Sequence, residues 1–503
     1  MCPGVGRYPT KHLLDWERGC PPVLEPSGVP RSLSPQMDFP LHRHANLHVA
    51  GSLLCLALAF ASQAAAQDQS VLLRKASELI PAIDSVQQPS IAANIAGQQS
   101  RAGNLADALA TVQLLTNDWG RNLARSSIAY GLSMRGNLPK ALQIMEAAED
   151  GVDKANGYLQ MAQPLAERKD FAAALAVAHK IDAVGQPAVL VDTLLRIAGL
   201  QWKADDQAGA SHTADEALNI IERERAGGKL PSAAIAGMYQ QAARQLTESG
   251  QQARAAQIVS RIRELFQTAG DSGTAQNGGF WISSVQAAIG DLDGALETAL
   301  TLPRGNDREL ALHGISLAAA QLGSLIDAQD IADRIFDQTL RQGALREIAN
   351  ARARSGYPSE ALAIIDDIPG AENRAFAYAQ LAIEQAQMHD PSAVQTVELA
   401  YSAALSGGAK TEHFVFECIT VTKALLGDFS GALSVLNVLK GDSRTWPLWN
   451  LTEMLVAAGR KQEAFALADG ETEPQPKAYA LLGLASQLIK EAEDAEAKAG
   501  GRP

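Results

Sequence analysis

From about residue 72 onward the chain is written in short paired blocks. In each block apolar residues recur every three or four positions, and a glycine separates the two members of a pair. Apolar positions at i, i+3, i+4 and i+7 mark amphipathic helices. SSIAYGLSMRG ends on Gly136 and KALQIMEAA follows from Lys140; REIANARARSG and EALAIIDDI repeat the arrangement around Gly356. A glycine there ends the first helix, because it enters the left-handed region at little cost. An Asp, Asn or Ser directly after it can cap the second helix. The pattern predicts helix–turn–helix corners.

The corner is copied along the chain. It reads GNLADAL from Gly103, GNLPKAL from Gly136, KDFAAAL from Lys169, GQQARAA from Gly250, GDLDGAL from Gly290, GSLIDAQ from Gly323, GYPSEAL from Gly356, GDFSGAL from Gly427 and GRKQEAF from Gly459. Degenerate copies are expected near Asp205 and Met388. The steps 103–136, 136–169, 290–323 and 323–356 are all 33 residues. A fixed period of this size means a solenoid, in which each unit buries its apolar face only by stacking on neighbours. An alanine five residues after each turn marks where two helices approach closely. Three Gly-rich stretches break the rhythm, at 222–233, 267–279 and 405–412, and read as longer loops.

This corner resembles the tetratricopeptide repeat family over about residues 72 to 490. The matching elements are the Gly-acid turn, the alanine five residues later (Ala108, Ala141, Ala174, Ala255, Ala295, Ala328, Ala361, Ala432, Ala464) and a small residue seven before the turn (Ala96, Ala129, Ala349). The family's early aromatic positions and its unit-ending proline are mostly absent. HEAT-like, Sel1-like and pentatricopeptide-type arrays are neighbouring possibilities. The last implies RNA binding, which suits an acidic chain poorly. The expected fold is all-α: a right-handed α-solenoid of about eleven helix–turn–helix units over residues 67–490, followed by a disordered polar tail, 491–503.

The N-terminus has other patterns. Residues 1–36 hold seven prolines and no periodicity, and read as a disordered leader or a misassigned start. After Met37, Arg43 precedes the 13-residue apolar run VAGSLLCLALAFA (49–61), then Ala64-Ala65-Ala66. A charged start, a short apolar core and an A-x-A site describe a secretory signal peptide, residues 37–66. The run is short of the ~20 residues that span a membrane, so no stable membrane insertion is expected after cleavage. The expected location is the bacterial periplasm or outside the cell. Of the four cysteines only Cys418 follows Ala66, as suits an oxidising compartment.

Net charge is −13 for the whole chain and −14 from Gln67 on. A phosphate-backbone partner calls for excess Lys and Arg, so no nucleic-acid partner is expected. Catalytic patterns are missing: there is no HExxH, no G-x-S-x-G, and AGGKL (226–230) lacks the phosphate-loop frame. His179, His212, His313, His389 and His413 have no paired metal spacing. Asp291 and Asp293 read as capping and solvated acids rather than a calcium loop. Neither metal nor cofactor is expected.

What remains is surface. The tetratricopeptide resemblance implies that positions 13, 10, 6, 3 and 2 before each turn line a concave groove. That register selects Gln240, Arg244, Phe280, Ser284, His313, Arg346, Asn350, Arg354, Trp446, Trp449 and Glu453. Arg and Asn suit a peptide backbone or carboxylate, and two tryptophans on one face suit an anchor. The expected function is an exported, non-enzymatic scaffold binding a protein or peptide in this groove. The alternatives are an α/α-toroid polysaccharide-active enzyme, whose ring closure would set it apart from an open array, and a self-associating envelope-assembly factor. Oligomeric state is not legible. N-terminal sequencing of the exported protein is expected to begin at Gln67; a start before Met37 would overturn the signal assignment.

Overall fold

The computed structural model describes residues 68–149, 151–268, 272–408 and 411–500. The leader, the signal segment and Cys2, Cys20 and Cys55 lie outside them. Residues from Ala64 on form one compact unit, helical throughout its described residues.

After a helix at 68–78, eleven hairpins follow one another. Their first helices are Gln88–Arg101, Asp118–Met134, Val152–Glu167, Pro187–Lys203, Ser232–Glu248, Ser272–Ala288, Asn306–Gln321, Gln338–Arg354, Ala371–Gln387, His413–Leu425 and Thr445–Ala457. The corresponding second helices are Leu105–Gln113, Leu138–Glu146, Phe171–Ala178, Gln207–Gly227, Gln252–Thr268, Leu292–Thr301, Leu325–Ala332, Pro358–Asp366, Ala393–Gly407, Phe429–Leu436 and Lys461–Gly470. A last helix, Pro474–Gly500, completes the chain.

All eleven corners turn through one residue with φ between 57° and 89°. Eight are glycine; Lys169, Asp205 and His389 hold the same left-handed conformation and bear its steric cost. Asp170, Asp206, Asp291 and Asp428 then accept a hydrogen bond from the backbone N–H three residues on, at 3.2, 2.9, 3.1 and 2.8 Å. Asn104, Asn137 and Ser324 occupy the same place without a side-chain cap. Five residues past the turn, Ala108, Ala141, Ala174, Ala210, Ala255, Ala295, Ala328, Ala361, Ala432 and Ala464 are wholly buried. A side-chain bond crosses three of the hairpins at one register, from Thr111 to Gln99, Thr213 to Gln201 and Thr298 to Gln286, at 2.8, 2.8 and 2.7 Å, the first two buried.

Consecutive first helices pack on one another along the array. Each second helix packs on its own first helix and on the next, while neighbouring second helices pack little on each other. Ion pairs bridge them instead, such as Arg261–Glu222 at 3.0 Å and Arg225–Glu264 at 3.5 Å. The layer whose members touch lies on the shorter arc, so the first helices form the inner wall.

Three expectations differ in detail. The stretches 222–233, 267–279 and 405–412 are mostly helix rather than loop: the extra residues lengthen Gln207–Gly227, Gln252–Thr268 and Ala393–Gly407 on the outer, less crowded arc. Extending a helix satisfies each added backbone group, which a loop does not. Residues 269–271 and 409–410 lie outside the described set. The segment 491–503, expected as an unstructured tail, continues the last helix to Gly500.

The third difference concerns the ends of the array, which meet. Arg101 donates two bonds to Glu493, at 2.9 and 2.7 Å. Gln69 Nε2 donates to the Leu488 carbonyl at 2.8 Å, in a buried setting. Leu72, Leu73 and Ala76 share an apolar cluster with Leu484, Ala485, Leu488 and Ile489. The helix 68–78 therefore serves the last helix as a second helix does its own hairpin, and Gln88–Arg101 follows as the next first helix. Leu73→Asp places a charge in a site with no exposure and is expected to destabilise the fold by about 3 kcal/mol. Small-angle scattering should show a larger radius of gyration while circular dichroism keeps most of the helix; unchanged size and melting would contradict a closed seam.

Candidate functional site

The inner wall has a fixed internal geometry. The residue ten before one turn meets the residue thirteen before the next. Arg346 lies 4.8 Å over the Phe376 ring centroid in this relation. His313 meets Gly343, where a Cβ would come within 2.9 Å of the imidazole Nε2, so glycine leaves room for the ring. Residues thirteen before successive turns also stack: Phe376 on Phe414 at 5.8 Å and Phe414 on Trp446 at 6.4 Å, the latter pair nearly parallel at 22°. Trp449 meets Tyr479 of the last helix at 5.8 Å and donates from Nε1 to Glu453 at 3.1 Å. The result is a strip running from His313 and Arg346 through Phe376, Phe414 and Trp446 to Tyr479. Phe414 is 41% exposed, although large and apolar.

The strip carries unbalanced charge. Arg346 is half-buried, and burial lowers its pKa. No ion pair holds it among the described residues. Burial lowers the His313 pKa, and the charge of Arg346 adds to the effect. Glu417 stands ten before Gly427, the register of Arg346. Burial pushes its carboxyl up to about 7, with neither hydrogen bond nor ion pair among the described residues to offset the desolvation.

The other groove candidates fall in different settings. Arg354 is exposed and committed to Glu347, at 2.9 Å, and to Glu384. Arg244 bonds Gln241 Oε1 at 2.8 Å. Phe280 stands edge-on to Trp281 at 5.2 Å. Gln240, Ser284 and Asn350 are half-buried. The register thus brings His313 and Arg346 to one end of the strip and Trp446, Trp449 and Glu453 to the other; Gln240, Arg244, Phe280 and Ser284 belong to the fifth and sixth hairpins, apart from it. Phe376, Phe414, Glu417 and Tyr479 were not selected from the sequence. Phe414 and Glu417 were within reach by counting back from Gly427. Phe376 required the ninth turn to be placed on His389, which has no glycine to mark it.

Elsewhere, a cavity of about 410 Å³ is lined by His179, Asp182, Glu216 and Arg223 among others. Its polar groups satisfy one another, His179 with Glu216 at 2.7 Å and Arg223 with Asp182 at 3.1 Å. Among the described residues no cluster of three His, Cys, Asp or Glu is placed to hold a metal. No described helix is long and apolar enough to cross a membrane. Burial pushes the Cys418 thiol up to about 12, which leaves it unreactive at neutral pH.

No family model and no curated protein matches the chain. Among solved structures it is similar to Ton1535 from Thermococcus onnurineus NA1, at 16% identity over 80% of this chain and 99% of that one, with a TM-score of 0.26. It is similar also to the pentatricopeptide repeat protein PPR10 in complex with an 18-nucleotide psaJ RNA element, at 14% identity over 82% and 69%, TM-score 0.31. A third is a circular tandem repeat protein with novel repeat topology, at 13% identity over 88% and 99%, TM-score 0.16. At such distances what those proteins bind does not carry over to this chain.

The Glu417 carboxyl makes a test of the wall. Its value in the fold is raised from 4.5 to about 7, so its cost to stability is absent below pH ~4.5, grows between the two values and is full above pH ~7. Glu417→Gln is expected to raise the unfolding free energy at pH 8 by up to about 3 kcal/mol and to give no gain at pH 4. Equal effects at both pH values, by denaturant titration, would contradict the assignment.

Proposed function

We propose that the protein is an exported, non-enzymatic helical-repeat scaffold that holds an extended peptide segment of a partner against the strip on its inner wall. The observation that carries this reading is the row Arg346–Phe376–Phe414–Trp446, one contributor from each of four consecutive first helices. Flat, partly exposed rings on rigid helices lose little conformational freedom when covered, which is why aromatic and Arg side chains dominate binding hot spots. A net charge of −13 supports a protein partner over a nucleic acid, whose phosphates such a surface repels. Export rests on residues 37–66 and remains part of the proposal.

Closure of the array favours one other reading, the toroidal sugar-cleaving enzyme. Such chemistry generally works with two carboxylates, one of them protonated. Glu417 has the raised value for the acid. Its candidate companions are engaged: Glu347 and Glu384 with Arg354, and Glu453 with Trp449. The scaffold reading is therefore the stronger.

A photo-crosslinking amino acid at Phe414 of the full-length protein, in its own cells, is expected to capture a discrete partner. The same group at Ile326, 73% exposed on an outer helix, is expected to capture none. The double variant Phe414→Ala/Trp446→Ala should reduce partner retention at least tenfold. Equal capture at both positions, or retention untouched by the double variant, would overturn the reading.

A further inference from the structure

The strip has more than aromatic area. Arg346 and Glu417 stand at the same level of the wall, ten residues before Gly356 and Gly427, and two first helices apart. Both are partly buried, and neither has an ion-pair partner among the described residues. Arg354, on the same helix as Arg346, is matched by Glu347 and Glu384. A half-buried charge without a partner is costly, and here two of opposite sign stand at opposite ends of one apolar stretch. Phe376 stands on the first helix between them, Phe414 stands three residues before Glu417 on its own helix, and Trp446 holds the thirteen-before position on the next first helix.

Resting on the peptide reading above, we propose that the wall selects an extended peptide carrying an acidic group at one point and a Lys or Arg further along. The acid would meet Arg346 and His313, and the base would meet Glu417. Apolar side chains would lie between them, across Phe376 and Phe414.

The spacing follows from packing. Adjacent helix axes are about 8–10 Å apart, so the two charges are separated by about 16–20 Å. An extended chain rises about 3.3 Å per residue, so acid and base stand five or six positions apart. A guanidinium pairs with a carboxylate through two parallel N–H···O bonds, and the neutral imidazole of His313 supplies one more donor or acceptor. At the other end, Trp446 on the next first helix would provide a ring face for the cation's stem and charge. A neutral polysaccharide satisfies neither charge, and an acidic one is repelled by Glu417.

The experiment is selection from a random heptapeptide library on the full-length protein, with Arg346→Met and Glu417→Gln in parallel. Binding of selected and charge-deleted peptides is then measured by fluorescence anisotropy. Wild type is expected to enrich peptides with an acid and a base five or six positions apart. Replacing either charge by glutamine should weaken binding at least tenfold. Arg346→Met should abolish the preference for the acid alone, and Glu417→Gln the preference for the base alone. Arg346→Lys, which keeps the charge, should retain part of the acid preference even if Arg346→Met folds poorly. Enrichment of apolar peptides regardless of charge, unaffected by both variants, would overturn this inference and leave the peptide-binding reading standing. No enrichment of any peptide would overturn both.

Discussion

The structure depends on how closely its first helices approach. Seven residues before each turn stands a small residue: Ala96, Ala129, Ala162, Ala198, Ala243, Ser283, Ser316, Ala349, Ala382, Thr420 and Thr452. Ala198 keeps 4% exposure and the others none. The alanine after the turn does the same for the second helix. With both positions small, each hairpin settles against the next at a short and nearly constant distance, and the residues ten and thirteen before the turn come to the same level on every unit. The strip on the inner wall is a product of that regularity. A larger side chain at any of these buried positions would push two first helices apart and break the stack of rings at that point.

Much of this was legible because the turn has strict chemistry. A left-handed residue followed by a capping acid leaves a signature of glycine then Asp, and counting from it recovers both the hairpin and its buried alanine. Legibility failed where physics allowed a substitute. His389 takes the left-handed turn without being glycine, so the ninth hairpin lost its marker and Phe376 its register. The seam was illegible for a different reason. Residues 68–78 read as one more amphipathic block, and nothing in their spacing says that their partner lies some 400 residues away, as the Gln69–Leu488 bond shows. The lengthened outer helices share that cause. Gly-rich sequence normally signals a loop, but on the inner wall too Gly278 and Gly279 lie within a helix and pack closely on Phe266 and Leu302.

Charge shows the same contrast between what composition gives and what placement adds. An overall excess of acid predicts a solvated, anionic surface. It does not predict that on this surface one guanidinium would be half-buried on a phenyl ring with no ion-pair partner among the described residues. Arg354, only two turns of helix from Arg346, takes two of them. Arg346 has none because the position opposite it on the next helix is Phe376, and the one opposite His313 is Gly343. Desolvation of Arg346 is thus built in by the packing rather than relieved by it, and Glu417 repeats the situation with the opposite sign.

Closure links these two points. In an open array the spacing between distant first helices varies with every small flexing of the units between them. Joining the last helix to the helix at 68–78 removes two free ends and ties the strip, through Tyr479 and its hydrogen bond to Asn94, to the first hairpin. A wall held in this way would meet an extended ligand with its charges already spaced, and less of the interaction energy would go into ordering the site. Among the described residues the closing helix covers 68–78, and its Gln69, Leu72 and Leu73 make the seam. A chain lacking those three residues would lose the seam.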